Sequence, residues 1–368
     1  IMPNFRFWHN REDNMMQSMT FTAVALMTLL ALPFKAHAES LNVTVVAGHP
    51  PVFLWVKTMS ETFIPAVDMA LEGSGTEIDW TEAYGGTLAK VGGELEAMED
   101  GLAQVGIVSS LFEPSLLSLQ NITYVTPFGP SDVKLVLETV DAMTNEIPGM
   151  RKMWEDLDLE YLGGGFGLED YLLMTKFPVK SLDDLKGRKI NAPGAAVNWL
   201  KDTGAVGVSG NLTTYYNDIK SGVAEGVIVF PTAAAAAKLH EVAPYVTKVH
   251  FGAQYAGGIV AKKSWYDEQS PDVQAALQAG AHAFARSYEA NLALRVTKAF
   301  SDFEAGNAHV TELPEDVRRE WANKLPNLAQ DWAAEQDAKG LEGTRVLEAY
   351  VTHLKDAGVH LPRDWSAK

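Results

Sequence analysis

Between residues 181 and 231, two short apolar runs, at 188–192 and 226–230, each stop at a proline or glycine and lead into stretches with helical spacing. That pattern predicts strand, turn, helix and strand, which is half of an α/β domain. The helical stretches cover 195–202 and 212–221, the second with Asn211 as its N-cap. In open α/β sheets, small ligands bind beyond the carboxyl ends of the strands, which places Asn191, Val229 and Phe230 where a ligand would sit.

Upstream, residues 41–47 (LNVTVVA) alternate as a first strand and run into the turn Gly48-His49-Pro50-Pro51. Helical spacing of Trp55, Met59, Phe63 and Val67 predicts a helix over 53–71, which Pro65 should kink or break. Strands at 78–83 and 104–108 flank a helix ending near 100–101, completing a βαβαβ unit with Ser109 and Ser110 at its last carboxyl end. Helical patterns at 131–145 and 149–157 and a strand at 160–162 lead to Gly163-Gly164-Gly165-Phe166-Gly167. We read that run as the first crossing between domains, because glycine frees φ and ψ and permits close approach. A phosphate-cradling loop is not completed there, since neither GxGxxG nor GxxxxGK[ST] is present. Later, 250–261 reads as returning strands, 271–303 as one long helix, and 314–325 and 341–357 as further amphipathic helices. The alanine run 233–237 opens a helix after Pro231, suited to close packing on a sheet.

The chain has 368 residues, 47% hydrophobic and 21% charged, enough for two globular domains. A net charge of −17 without a Lys/Arg cluster argues against nucleic acid and against acidic lipid surfaces as partners. The apolar run 19–33 has the length of a signal peptide and precedes Ala36-His37-Ala38, so cleavage is expected after Ala38. With no cysteine there is no disulfide, no thiolate metal site, no Cys nucleophile and no lipid-modified N-terminal Cys. An exported chain without that anchor points to a Gram-negative periplasm. The nine His residues form no HExxH or close pair, no Asp/Glu/His cluster has metal spacing, and GxSxG is absent. We therefore expect no metal, no cofactor and no catalysis. His49, beside two prolines, is placed either to line the mouth of a cleft or simply to cap a turn.

Three ordered motifs, DLKGRKINAPG, then YYNDIKSGVAEGVIVFP, then KLHEVAPYVTKV, resemble those of TRAP transporter solute receptors, the DctP family. The resemblance implies an α/β, two-domain periplasmic binding protein fold with hinge strands and a long helix spanning both domains. It implies domain I at 39–164 plus 251–268, domain II at 165–250, and a helical remainder at 269–368. It also implies a receptor that delivers a small solute to one small and one large multispanning membrane protein; a monomer is expected. The family's carboxylate-binding Arg falls on Asn191 here, and a second ligand-contacting Arg falls on Asp170 or Tyr171, with Glu169 adjacent. A charge-assisted hydrogen bond contributes about 1.5–3 kcal/mol, and about 1.4 kcal/mol is tenfold in affinity, so the loss should weaken carboxylate binding substantially. Strand alternation turns Lys189, not Arg188, to the face of Asn191. Carboxylates with aromatic rings suit an ammonium group instead. The expected contacts are Glu169, Asp170, Tyr171, Asn191, Val229, Phe230, Ser109, Ser110 and Trp55. The alternatives are a C4-dicarboxylate or other organic acid held by a non-standard cation, an ABC-type receptor, and a periplasmic α/β enzyme.

Overall fold

A computed structural model describes residues 39–163 and 165–367, so the expected signal segment lies outside the described residues. The first sheet takes β1 (Glu39–Ala47), β2 (Thr76–Tyr84), β3 (Val105–Val108), β4 (Leu159–Tyr161) and β5 (Phe166–Leu168). The chain then builds a second sheet from β6 (Leu172–Thr175), β7 (Lys189–Pro193), β8 (Val206–Gly210), β9 (Gly226–Val229) and β10 (Tyr245–Lys248). It returns to the first sheet with β11 (Gln254–Lys262) and visits the second once more with β12 (His309–Glu312).

Spatial order is β2-β1-β3-β11-β4 in the first sheet, with β5 also on β11, and β12-β10-β6-β9-β7-β8 in the second. β1 and β3 are parallel, as are β7, β8 and β9, so these strands aim their carboxyl ends the same way within each sheet. β11 runs antiparallel to β3, β4 and β5, and so links the first sheet to the crossing segment that continues into β6.

The long helix Pro271–Ala305 is capped by Ser270, whose side chain accepts from the Val273 N–H, and opens with proline in its first turn. Its 35 residues make it about 52 Å long at 1.5 Å per residue. A buried stripe at Val273, Leu277, Gly280, Phe284, Tyr288 and Leu292 follows helical spacing. The helix packs on Ile64–Ala70 beside the first sheet and on Pro231–Ala236 and β12 at the second. At Gly280 a Cβ would lie 2.5 Å from Val67 Cγ2, so glycine permits the closest approach.

Several expectations need correction. The stretch predicted as one helix over 53–71 is helical at Leu54–Thr58 and Ile64–Ala70, joined by a π-helical turn at Met59–Phe63 just before Pro65. Proline has no N–H to donate, and the wider turn absorbs the missing bond without ending the rod. Residues 194–200 form a 3-10 helix, not an α-helix. Asn211 does not cap the next helix, which starts at Tyr215; its side chain accepts from the Thr213 N–H in a local turn. The alanine helix Pro231–Ala236 buries Ala233 and Ala234 and packs chiefly on the long helix. β8, β12 and the helix Leu328–Ala338 have too few periodic apolar positions to be visible in the pattern.

Near the crossings, Asp170 accepts from the Gly252 N–H at 2.8 Å and from Ser131 Oγ at 2.9 Å. His250, whose backbone adopts φ +58°, bridges Asp170 and Glu312 with its ring, while Lys248 stands 3.9 Å from Glu312 and Arg318 donates to the His250 carbonyl. The two carboxylates, Asp170 foremost, hold the imidazole protonated up to about 9 against an ordinary value of 6.5. A raised histidine pKa stabilises the fold fully below pH 6.5, and the contribution is lost as pH rises through about 9. Thermal denaturation from pH 6.5 to 9 should therefore lower Tm more in the parent than in His250→Gln; parallel curves would show that the bridge adds nothing.

Candidate functional site

The carboxyl ends of β1, β3, β7 and β9 converge on a cavity between the two sheets. Ala47 and His49 follow from β1, Ile107 and Ser109 from β3, Pro193 from β7, and Ile228, Val229 and Phe230 from β9. This is the position at which open parallel sheets leave backbone groups and loop side chains free to meet a ligand. The cavity holds about 40 Å³ of free space, room for about three waters.

Aromatic rings form most of the wall. Trp55 stacks on Phe53 with centroids 5.0 Å apart and on Phe166 at 5.9 Å, and meets Phe230 across the cavity at 5.8 Å. Tyr171 sits 5.3 Å from Phe230 and shares a hydrogen bond with Tyr124, hydroxyl to hydroxyl, at 3.3 Å. Behind them, Trp199 donates to the Tyr124 carbonyl and Trp321 to the Trp199 carbonyl, so the rings are braced from the far side. Burial pushes the Tyr171 and Tyr215 phenols well above their ordinary range, keeping both neutral.

Glu94 is the carboxylate in the lining. One oxygen accepts from the Gly48 N–H at 2.8 Å and the other from the Gly92 N–H at 2.7 Å, and burial raises its pKa. Among the described residues the lining contains no lysine or arginine. Arg188, which precedes β7, instead pairs with Glu225 at 2.7 Å, and Lys189 is exposed while Asn191 is fully buried.

Of the nine expected contacts, Trp55, Ser109, Tyr171, Val229 and Phe230 line this cavity. Four do not. Asn191 is fully buried two residues behind Pro193, and neither of its amide atoms has a partner among the described residues. Ser110 is buried with Oγ likewise unpartnered. Glu169 turns to the opposite side of the crossing strand, where its Oε1 accepts from the Thr232 N–H at 2.6 Å at the start of the helix Pro231–Ala236. Asp170 is committed to Ser131, His250 and Gly252, and lines with Glu169 a separate groove of about 580 Å³ against the long helix.

Glu94, Phe112, Phe166 and Tyr215 line the cavity without having been singled out. Two of them carry a usable signal. Phe166 is the sole side chain in the glycine-rich crossing, and Glu94 follows Gly92-Gly93, whose backbone N–H groups need an acceptor.

Two α/β halves joined by crossing strands, with a cavity walled by both and a helix laid along both, define the two-domain periplasmic binding protein fold. Residues 67–336 match the DctP family, described as bacterial extracellular solute-binding protein, family 7. The chain belongs to that family, whose members are solute receptors and not enzymes. Solved TRAP solute-binding structures share the fold. A Sulfitobacter sp. NAS-14.1 protein with bound β-D-galacturonate is 17% identical, with a TM-score of 0.72 over 84% of this chain and 99% of its own. A Bordetella pertussis extracytoplasmic solute receptor binding pyroglutamic acid is 15% identical, at 0.73 over 84% and 99%. The Halomonas elongata periplasmic ectoine-binding protein is 18% identical, at 0.72 over 86% and 100%.

One contact across the cavity depends on glycine. Gly194, at φ +45°, would place a Cβ 2.7 Å from the Leu111 carbonyl oxygen and 2.6 Å from Leu111 Cδ1. Gly194→Ala should therefore hold the two walls apart and weaken solute binding about tenfold or more. Calorimetry with the solute that co-purifies with the parent checks this, and undiminished affinity would show that the walls can close without that contact.

Proposed function

We propose that the cavity takes a small amine, amino alcohol or comparable polar solute and that a TRAP transporter's membrane subunits receive it. The observation that supports this reading is the lining itself: aromatic rings and one carboxylate, with neither lysine nor arginine among the described residues. A carboxylate brought into that space would lose its hydration without an opposite charge to replace it. An ammonium group would meet Glu94 and the faces of Trp55, Phe166 and Phe230. The small free volume suits a solute of a few heavy atoms. The relatives named above bind galacturonate, pyroglutamic acid or ectoine, and at 15–18% identity they guide the fold more than the choice of solute.

In this reading the protein works as a monomer in the periplasm after removal of the segment ending at Ala38. Domain I comprises 39–164 with 251–268, domain II comprises 165–250, and the remainder packs on both. Closure of the two over the solute shifts the population toward the form the membrane proteins recognise. No helix among the described residues is long and apolar enough to cross a membrane.

Isothermal titration against ethanolamine and related amines, and against succinate, malate and pyruvate, tests the solute class. Amines should bind at least about a hundredfold more tightly than succinate. Tight succinate binding with no heat from amines would reject the proposal in favour of an organic acid held by another cation.

A further inference from the structure

Most polar groups on the cavity wall are committed to the protein, among them the Asn211 Oδ1, which accepts from the Thr213 N–H and hydroxyl. Ser109 donates to the Ala256 carbonyl at 2.8 Å, and Tyr215 donates to the Gly210 carbonyl at 3.0 Å. The Tyr171 hydroxyl is shared with Tyr124, and Glu94 accepts two backbone N–H groups. His49 differs: its Nε2 is buried and has no hydrogen-bond partner among the described residues. The ring is 9% exposed and is held edge-on by Phe53 at 5.5 Å and Trp55 at 5.3 Å, with Phe112 at 6.4 Å. Its own backbone is fixed as well, because the Gly85 N–H donates to the His49 carbonyl and the Gly48 N–H beside it to Glu94.

A buried polar atom left without a partner, on a residue of the cavity wall, is a cost to the empty protein that a bound molecule able to reach it can remove. We propose that His49 determines solute selectivity, its Nε2 accepting a hydrogen bond from the solute's hydroxyl or ammonium group while the surrounding rings pack against the solute's carbon atoms. That the nitrogen accepts rather than donates rests on the amine reading of the cavity; the contact itself does not. Burial keeps the ring neutral, with its pKa lowered to about 4, so an acceptor nitrogen is present at neutral pH when the proton resides on Nδ1. Asn191, the other strong candidate for an unpartnered contact, does not line the cavity.

The test compares the purified parent with His49→Phe, which keeps a flat ring and removes the nitrogen, and with His49→Gln, which restores a polar group. Titration with ethanolamine should show a loss of roughly ten- to a hundredfold in His49→Phe and a smaller loss in His49→Gln. Equal affinity of parent and His49→Phe would overturn the proposal. If the parent binds succinate and not ethanolamine, the amine reading fails; a comparable loss of succinate affinity in His49→Phe would still support the His49 contact, with the nitrogen donating, and no loss would overturn it. Melting of the solute-free proteins tests the contact whichever probe binds. His49→Phe should melt no lower than the parent, because it removes an unpartnered group, and a Tm lower by several degrees would show that Nε2 serves the fold and not the solute.

Discussion

The pairing of β5 with β11 is the constraint on which the site depends. Gln254 lies opposite Leu168 and Tyr255 opposite Gly167, then the register shifts before Gly257 meets Phe166. Gly257 sits at φ +148°, where an added Cβ would lie 2.2 Å from the Val108 carbonyl oxygen, so the irregularity lets β11 pass directly against the end of β3. The same ribbon continues through Tyr171, whose N–H donates to the Gly252 carbonyl, and into the second sheet. Tyr288 of the long helix donates to the Gly167 carbonyl at 2.6 Å, fastening the crossing from outside. With the ribbon so held, the carboxyl ends of four strands from two sheets face one small space.

The electrostatics of that space follow from where the charges are spent. Arg188 is paired with Glu225, Lys248 lies over the Phe300 ring, and the His250 cation is absorbed by Asp170 and Glu312. These cations are thus taken up by carboxylates and a ring outside the cavity, which keeps Glu94 and its aromatic wall. A solute is discriminated by what it leaves unpaired on entry, and in the proposed reading the penalty falls on anions.

The strands and the long helix were legible because each repeats a simple period: β1 alternates, β9 is a continuous buried run, and Pro271–Ala305 carries apolar residues at helical spacing. The motif series puts Val229 and Phe230 at the carboxyl end of β9, where both line the cavity. Glu169 and Asp170 lie along the groove behind the crossing while Leu168 lines the cavity, because the Thr232 N–H holds Glu169 and Ser131, His250 and the Gly252 N–H hold Asp170, partners that no strand period encodes. Asn191 is on the expected strand but lies behind Pro193. Glu94 and His49 belong to loops brought together only by tertiary packing, where the Glu94 carboxylate binds the backbone beside His49, a relation that no local pattern encodes.

The placement of Trp55 has an optical consequence. Among the described tryptophans it is the one that lines the cavity, whereas Trp154, Trp199, Trp321 and Trp365 are wholly enclosed. Its indole touches rings from both sides of the gap, so separation of the walls exchanges Phe230 for solvent on one face. Under the proposed closure, the emission of this indole would change as the walls part, over the signal of Trp80, Trp265 and the other tryptophans, without any attached dye.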